Sequence, residues 1–519
     1  MPPPPPPPPP PEKEKRHLAR LCDLVSSSLL LHLEYGSSPP RQLTPKEERH
    51  LLLALSTVNK TIRRWDLEEE LGCQLDQEIV SGSGELYSCC LLPEEHPHDG
   101  VDCLTNIVTI LVGLLGFCSN YVKHSASNIL ITISSTLTKF ESIWIEFIEL
   151  VWVSIHEALK CVCNALCSTT DSKSDGIASS NSSITSFMTL LNNHCLGIDE
   201  QTMSSLFRVL HAILKFLKHS DSDLKDEFIS LSIHHIGKMP WDSFHRLHAG
   251  ELVSCAKDRF SFCNDSAQSR VLTGRLLQLL CSLLEQSYLE LESTDGQDMF
   301  VKLVDIVPKI AASLQEQHDG PKSLYQYLKH KILDDMLFSI LLQLLDAPLI
   351  FLKVANTGTT ELSGVKLFLS IFDPVHIFHQ LLFLLHYDHM VLIDYLISKD
   401  VGVHCAQYLL RCLRLVSQSW HSFVDDSVYL TEIEKLECKR QRTSRDISRA
   451  RASSSKEHKN GYGCDKEANI SQKLFLKAKA CLYSLKRTLE DLQKKGLFPY
   501  NPKPLLRSLA RFEELCEQR

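Results

Sequence analysis

The sequence lacks the short motifs that mark common catalytic and nucleotide-binding sites. It contains no G-x-S-x-G turn, no H-E-x-x-H helix, no P-loop and no G-x-G-x-x-G loop. Its paired acids, such as Asp334 with Asp335, are sequence neighbours, and neighbouring side chains on a helix point in different directions. The sequence therefore predicts a non-enzymatic protein with no catalytic residues, no cofactor, no metal and no small-molecule substrate.

An excess of positive charge is also missing. The net charge is -8, whereas a chain that coats nucleic acid along its length carries an excess of Lys and Arg. The longest apolar run, Val101 to Cys118, includes Asp102 and Asn106, so a buried helix is expected there and not a membrane span. The opening prolines, Pro2 to Pro11, are followed by charged residues and do not resemble a secretory signal.

Cysteine, by contrast, is abundant. The 19 cysteines are an odd number and lie scattered through Leu-rich segments, for example Cys163, Cys281, Cys412 and Cys481. Free cysteine is among the most buried residue types, and disulfides are rare in reducing compartments. We therefore expect reduced, mostly buried thiols and a cytosolic or nuclear protein.

Leucine at helical spacing dominates the chain from His17 onward. Thr44-Pro45 with Glu47 predicts one helix start, and Asp199-Glu200 predicts another. Alternation typical of a strand is rare, and its main example is Asn128 to Ser134. The sequence predicts an all-α protein.

Successive helices are separated by short Gly-, Pro-, Asn- or Asp-containing breaks, which is typical of stacked helix pairs. No fixed repeat period is visible, so we expect an armadillo/HEAT-like solenoid with degenerate repeats. The predicted organisation is a disordered poly-proline tail (1–16), a helical solenoid (17–436), a basic disordered linker (437–470) and a C-terminal helical unit, a hairpin (471–519). The tail's other interpretation is a polyproline II ligand for a partner.

The linker holds the sharpest local charge in the chain. Its cationic residues resemble a nuclear localisation signal, which predicts an importin-type carrier as a partner: Lys439, Arg440, Arg442, Arg445, Arg449 and Arg451. A solvated linker is the alternative. Nucleic-acid contact is less favoured, because no aromatic residues lie between these cations.

A loop rich in His and Cys gives a second alternative, a zinc-binding module. Its residue types are zinc ligands, but no pair has the Cys-x-x-Cys spacing of known zinc sites: Cys89, Cys90, His96, His98 and Cys103. The pattern therefore favours a solvated loop. A nuclear module that binds zinc through this loop, or nucleic acid through the basic linker, remains the alternative to a protein adaptor.

The C-terminal segment contains an irregular turn rich in proline and aromatic residues. Gly496 is expected to end one helix and Asn501 to cap the next, with Pro502 and Pro504 in its first turns. The motif, for which packing and partner binding are both open, comprises Phe498, Pro499, Tyr500, Asn501, Pro502, Leu505, Leu509 and Phe512. We expect Phe498, Tyr500, Leu505, Leu509 and Phe512 to form a compact mini-core.

Two blocks of sequence go beyond a general helical pattern. They are DHMVLIDYLISKDVGVHCAQYLLRCLRLVSQSWHSF, from Asp388 to Phe423, and LKRTLEDLQKKGLFPYNPKPLLRSLARFEEL, from Leu485 to Leu515. Together they resemble the Lines family, whose animal members modulate Wingless/Wnt-type patterning in the nucleus. The resemblance implies a nuclear scaffold that acts on transcription and developmental signalling through other nuclear proteins, with the cytoplasm as a second location.

Overall fold

The computed structural model describes residues 12–34, 43–70, 100–167, 200–218, 222–239, 265–289, 338, 341–343, 345, 373–425 and 464–518. These residues are helical apart from short turns, and no β-strand occurs among them, which confirms the predicted all-α class. The chain divides into two compact units, Met1–Ile306 and Val307–Arg519.

The described part of the first unit is a stack of long helices. Contacts join helices that are close in chain order: α1 packs on α2 and α3, α2 on α4, α3 on α4 and α5, and α6 on α4, α5 and α8. The helices are α1 (Glu12–Glu34), α2 (Pro45–Glu70), α3 (Gly100–Leu115), α4 (Asn120–Leu137), α5 (Glu141–Cys167), α6 (Glu200–Leu217), α7 (Ser222–Gly237) and α8 (Asp265–Leu289).

Helix α2 begins where the sequence predicts. The backbone N–H of Thr44 donates to Glu47 Oε2 at 2.8 Å, and the Glu47 N–H donates to Thr44 Oγ1 at 3.3 Å. This reciprocal pairing is a capping box, which satisfies donors that the first turn of a helix leaves without partners. Helix α6 begins at Glu200, as the Asp199-Glu200 pair indicates.

The alternating segment Asn128 to Ser134 is not a strand, because it lies inside α4. Its buried apolar residues continue a helical period through Ala126, Ile129, Ile133 and Leu137. Its hydroxyls bond back to the preceding turn, as when Thr132 Oγ1 donates to Asn128 O at 2.9 Å. Burial on a helical face therefore overrides the β-branched composition.

Helix α3 occupies most of the apolar run from Val101 to Cys118. It is buried against α1, α4, α5 and α6, which explains why it is apolar around most of its circumference. One of its polar residues has a partner inside the unit, since Asn106 Nδ2 donates to Ser26 Oγ at 2.9 Å. Among the described residues, no helix is both long enough and apolar enough to cross a membrane.

The described part of the second unit brings four helices together with a C-terminal helical pair. Helices α9 (Pro374–Leu384), α10 (His389–Ile397), α11 (Gly402–Gln418) and α12 (Trp420–Asp425) pack against α13 (Cys464–Lys494) and α14 (Lys503–Glu517). Helix α13 begins at Cys464, so the predicted linker, 437–470, overlaps its first turns at 464–470. Residues 437–463 of that linker lie outside the described part.

The described cysteines are free thiols and mostly buried, as expected. Cys281, Cys412 and Cys481 are buried, whereas the Cys163 side chain lies outside the described residues. Cys118 is exposed. Burial raises the pKa of the Cys481 thiol to about 12, and this group is therefore protonated at neutral pH.

Candidate functional site

The turn between α13 and α14 is fixed at its start by a helix-ending motif. Gly496 has a φ of 65°, its N–H donates to Gln493 O, and the Leu497 N–H donates to Leu492 O at 3.0 Å. This pair of bonds is a Schellman motif, and glycine adopts its left-handed conformation without steric cost. Gly496 therefore ends α13, as the sequence predicts.

Tyr500 connects this turn to the turn between α10 and α11. Its hydroxyl lies 2.6 Å from Leu396 O and 2.8 Å from Gly402 O. A phenol carries one proton, so it donates to one of these carbonyls at a time. Burial raises the pKa of Tyr500, which keeps the hydroxyl protonated and able to donate.

Gly402 is required at this junction by close approach and not by its own φ. A Cβ at this position would lie 2.5 Å from Leu396 O, a backbone atom that cannot move away as a flexible side chain could. Because Gly402 has no side chain, the carbonyls of Leu396 and Gly402 can lie close together and both face the Tyr500 hydroxyl.

The remaining turn residues set the direction of α14. Asn501 Oδ1 accepts from the Lys503 N–H at 3.1 Å, and α14 begins at Lys503. Pro502 occupies the N-cap position and is buried, and Pro504 lies in the first turn. Pro499 is exposed, and the Phe498 ring packs edge-on against Tyr500 at 4.7 Å between centroids.

The buried face of α14 joins a cluster of aromatic rings from other helices. Phe512 packs edge-on against Trp420 at 5.6 Å and against Phe423 at 5.8 Å between centroids. Phe475 of α13 also contacts both of those rings. Leu505 and Leu509 are buried on the same helix. The buried side chains of α14 thus share one core with α12 and α13.

His379 of α9 also packs against this cluster. Its ring stacks on Phe423 at 4.0 Å, and its Nε2 donates to Phe423 O at 2.6 Å. Burial lowers the pKa of His379 to about 4, because a charged imidazolium loses its hydration inside the core. The neutral ring therefore serves as a packed hydrogen-bond donor near neutral pH.

On the outside of the same helices, a groove of about 440 Å³ runs between α11 and α14. Its floor includes the aliphatic residues Leu413 and Pro504, and its charged residues are arginines. The lining residues are Leu413, Arg414, Ser417 and Gln418 from α11, and Pro504, Arg507, Ser508 and Arg511 from α14. We call this surface the arginine groove.

The charges of the arginine groove are mostly uncompensated. Arg511 pairs with Glu514 at 2.8 Å, and both side chains are more than half exposed. Arg414 and Arg507 are exposed, and neither has an ion-pair partner within the described part of the chain. Lys503, which is also exposed, adds a further cation on α14. The groove can therefore attract anionic groups.

No recognised sequence motif marks these arginines. Arg507 and Arg511 are four residues apart in α14, so they lie on one helical face, and this spacing is the signal that could have found them. The residues of α11 that line the other side of the groove are distant from α14 in sequence. Only the packing of α11 against α14 brings Arg414 to the same groove.

Other predicted sites fall outside the described residues. The candidate import residues, from Lys439 to Arg451, are among these, as are Cys89, Cys90, His96 and His98. Cys103 is described, and it is buried in α3. Within the described ranges, no group of His, Cys, Asp and Glu side chains is arranged to hold a metal ion.

In the described part of the second unit, these features define an all-helical module in which a C-terminal helical pair completes both a core and a surface groove. Two family models match the chain within it. The Lines N-terminus model matches residues 333–426 and the Lines C-terminus model matches residues 478–514, and together they support membership of the Lines family. A search of curated proteins found no match.

Proposed function

We propose that this chain is a non-enzymatic adaptor that acts in the nucleus through protein–protein interaction, resembling the Lines regulators of developmental, Wnt-type signalling and transcription. The observation that carries the proposal is the composition of the arginine groove. Half of its lining comes from the segment that matches the Lines N-terminus, and half from the segment that matches the Lines C-terminus. A surface that needs both segments gives a physical reason for their occurrence in one chain.

We propose that the helices are arranged as an armadillo/HEAT-like solenoid. Support comes from the first unit, where the described helices contact mainly those one or two places away in chain order. Such local stacking is typical of repeat proteins, which offer long surfaces to partners. Distances between spin labels placed on α1 and α8 of the full chain would test this, since a solenoid separates these two helices more than a closed bundle does.

Nuclear entry is proposed to depend on the basic segment and an importin-type carrier. Its first cationic cluster comprises Lys439, Arg440 and Arg442. Replacing these three residues by alanine should shift a fluorescent fusion of the full chain toward the cytoplasm. A matched control replaces Arg63, Arg64 and Lys60 of α2, three exposed cations at another site. Equal nuclear fractions for both variants would contradict the proposed signal.

Partner binding is best tested by proximity labelling in intact cells, followed by identification of the labelled nuclear proteins. Truncation after Glu437 is a poor comparison, because it removes α13 and α14 and uncovers the aromatic cluster around Trp420 and Phe423. Uncovered apolar surface would recruit proteins non-specifically. A charge-reversal pair, Arg414→Glu with Arg507→Glu, changes the groove at exposed positions and keeps the core.

The matched control for this pair is Arg487→Glu, an exposed arginine of α13 that does not line the groove. We expect a reproducible group of nuclear partners with the unchanged chain and with Arg487→Glu, and the loss of part of that group with the double variant. If no nuclear protein is labelled reproducibly by the unchanged chain, the adaptor proposal fails.

A further inference from the structure

The arginine groove combines one sign of charge with an apolar floor. Three guanidinium groups line it, from Arg414, Arg507 and Arg511, and Glu514 is the described carboxylate that pairs with one of them. Pro504 in the floor is half-buried and offers exposed apolar surface, whereas Leu413 is fully buried. The chain as a whole is acidic, with a net charge of -8. The groove is thus a local cationic site on an acidic protein.

Guanidinium groups are suited to carboxylates, because their planar N–H donors match the two carboxylate oxygens. An aliphatic floor between such donors suits one apolar side chain, which loses contact with water when it enters. We propose that the arginine groove binds a short acidic peptide segment of a partner protein, with an aliphatic residue flanked by carboxylates. This assignment rests on the proposed adaptor function and names the chemistry of its partner.

The same residues fit single-stranded nucleic acid less well. Proteins that bind single strands usually combine cations with aromatic rings on which the bases stack. Aliphatic and polar side chains accompany the arginines along the groove, and the aromatic rings of Trp420 and Phe512 are turned into the core instead.

The test uses the full chain and a fluorescein-labelled peptide, a run of Asp and Glu with one central Leu, followed by fluorescence anisotropy. We expect saturable binding that weakens as ionic strength rises, because exposed ion pairs are screened by salt. Arg414→Glu with Arg507→Glu should weaken it by about tenfold or more, since two attractive pairs become repulsive. Arg487→Glu should bind the peptide as the unchanged chain does.

Control peptides separate the contributions of charge and apolar contact. A peptide with Gln and Asn in place of Glu and Asp should not bind, and one with central Leu→Gly should bind more weakly. Circular dichroism of each variant shows whether its helices are retained. The proposal is overturned if the acidic peptide does not bind, or if Arg487→Glu weakens binding as much as the double variant.

A labelled single-stranded oligonucleotide provides the remaining comparison. Tighter binding of the oligonucleotide than of the acidic peptide, lost in the same double variant, would overturn the peptide proposal in favour of a nucleic-acid site. Failure of this inference is distinguishable from failure of the adaptor function. Labelled nuclear partners that are unchanged by the double variant would leave the adaptor proposal standing and remove the groove assignment.

Discussion

Two grooves of similar size lie on the two units, and they differ in charge. The first, lined by Pro45, Glu48, Arg49, Leu52, Leu53 and Tyr121, has a volume of about 400 Å³, against about 440 Å³ for the arginine groove. Its lining holds one carboxylate and one guanidinium, and Ser119 donates a hydrogen bond to Glu48. Volume therefore does not distinguish the two surfaces.

Charge and sequence do distinguish them. The groove of the first unit is balanced in charge and exposes Leu53 and Tyr121, and it lies outside both Lines-matched segments. The arginine groove has an excess of cations and is built from both segments. If charge selects acidic peptides, these peptides should bind the arginine groove in preference to the groove of the first unit. Substitutions that disturb the second unit should then weaken binding, and substitutions that disturb the first unit should not.

Replacement of Phe512 by alanine should have the largest effect on the difference in peptide binding between the two grooves. The side chain is fully buried among Trp420, Phe423 and Tyr483, and the loss of such a ring costs about 3–5 kcal/mol of unfolding free energy. Because α14 carries both this ring and the groove arginines, binding of the acidic peptide should fall as well. Hydrogen exchange by mass spectrometry checks this, since it reports on each unit separately.

The matched control for Phe512→Ala is Phe207→Ala in the first unit. Phe207 is also fully buried and packs edge-on against Trp152 at 6.1 Å. It should increase hydrogen exchange in α5 and α6 and leave peptide binding unchanged. Equal loss of binding in both variants would show that the groove depends on the whole chain, and the contrast between the two surfaces would not hold.

Gly402→Ala should have the next largest effect, through the turn that Tyr500 contacts. The new Cβ would lie 2.5 Å from Leu396 O, so the backbone must shift, and overpacking of this kind costs about 1–3 kcal/mol. Gly402→Asn should be as damaging, because any side chain meets the same carbonyl. Thermal unfolding and exchange in α10 and α11 measure the effect.

Gly496 provides the comparison for Gly402, because glycine is required at position 496 by the backbone conformation and not by close approach. Its φ is 65° and open space surrounds the position of a Cβ. Asparagine tolerates this left-handed conformation, so Gly496→Asn should retain most of the stability that Gly402→Asn loses. If the two asparagine variants are equally stable, close approach at Gly402 is not the reason for its glycine.

The third prediction concerns how the stability of the second unit depends on pH, and it centres on His379. Its pKa is lowered to about 4 in the folded protein from 6.5, so between these values the unfolded chain binds a proton that the folded chain does not. The contribution of His379 to stability is therefore fully present above its unfolded pKa of 6.5, and it is lost as the pH falls toward its folded pKa of about 4. At pH 5 this linkage amounts to about 1–2 kcal/mol.

His379→Gln can keep the hydrogen bond to Phe423 O but cannot titrate, so it should flatten the pH dependence of urea unfolding in the second unit. His376, which lies one turn away, also has a lowered pKa and will leave some dependence in place. The control is His421→Gln, at an exposed position of α12. An unchanged slope for His379→Gln would show that its proton does not contribute.

Local features of the fold could be predicted from the sequence because their causes are local. The capping box of Thr44 and Glu47 and the helix end at Gly496 each depend on residues within one turn. Helical burial also followed from leucine spacing. The segment from Asn128 to Ser134 alternates as a strand would, and the burial of Ala126 and Leu137 on either side of it decides for a helix.

The arginine groove could not be predicted in the same way. Arg414 and Arg507 are far apart in sequence, and the packing of α11 against α14 brings their helices together. The role of Tyr500 is hidden for the same reason, since its partners are two backbone carbonyls in another turn. A side chain whose partner is a distant backbone atom leaves no pattern in its own neighbourhood.

Tyr500→Phe should have the smallest effect of the four, and it isolates the link between the Lines-matched segments. The ring and its contact with Phe498 remain, while the hydrogen bond to Leu396 O or Gly402 O is lost, at a cost of about 1 kcal/mol. Tyr121→Phe is the matched control, because that ring is exposed in the groove of the first unit.

The informative measurement for Tyr500→Phe is exchange at the turn between α10 and α11, compared with exchange in α14. If the hydroxyl holds the two turns together, both regions should exchange faster, and acidic peptide binding should weaken slightly because α14 is less firmly placed against α11. If only the turn around Tyr500 changes, the groove is held by the aromatic cluster at Phe512 alone, and the hydroxyl positions nothing beyond its own loop.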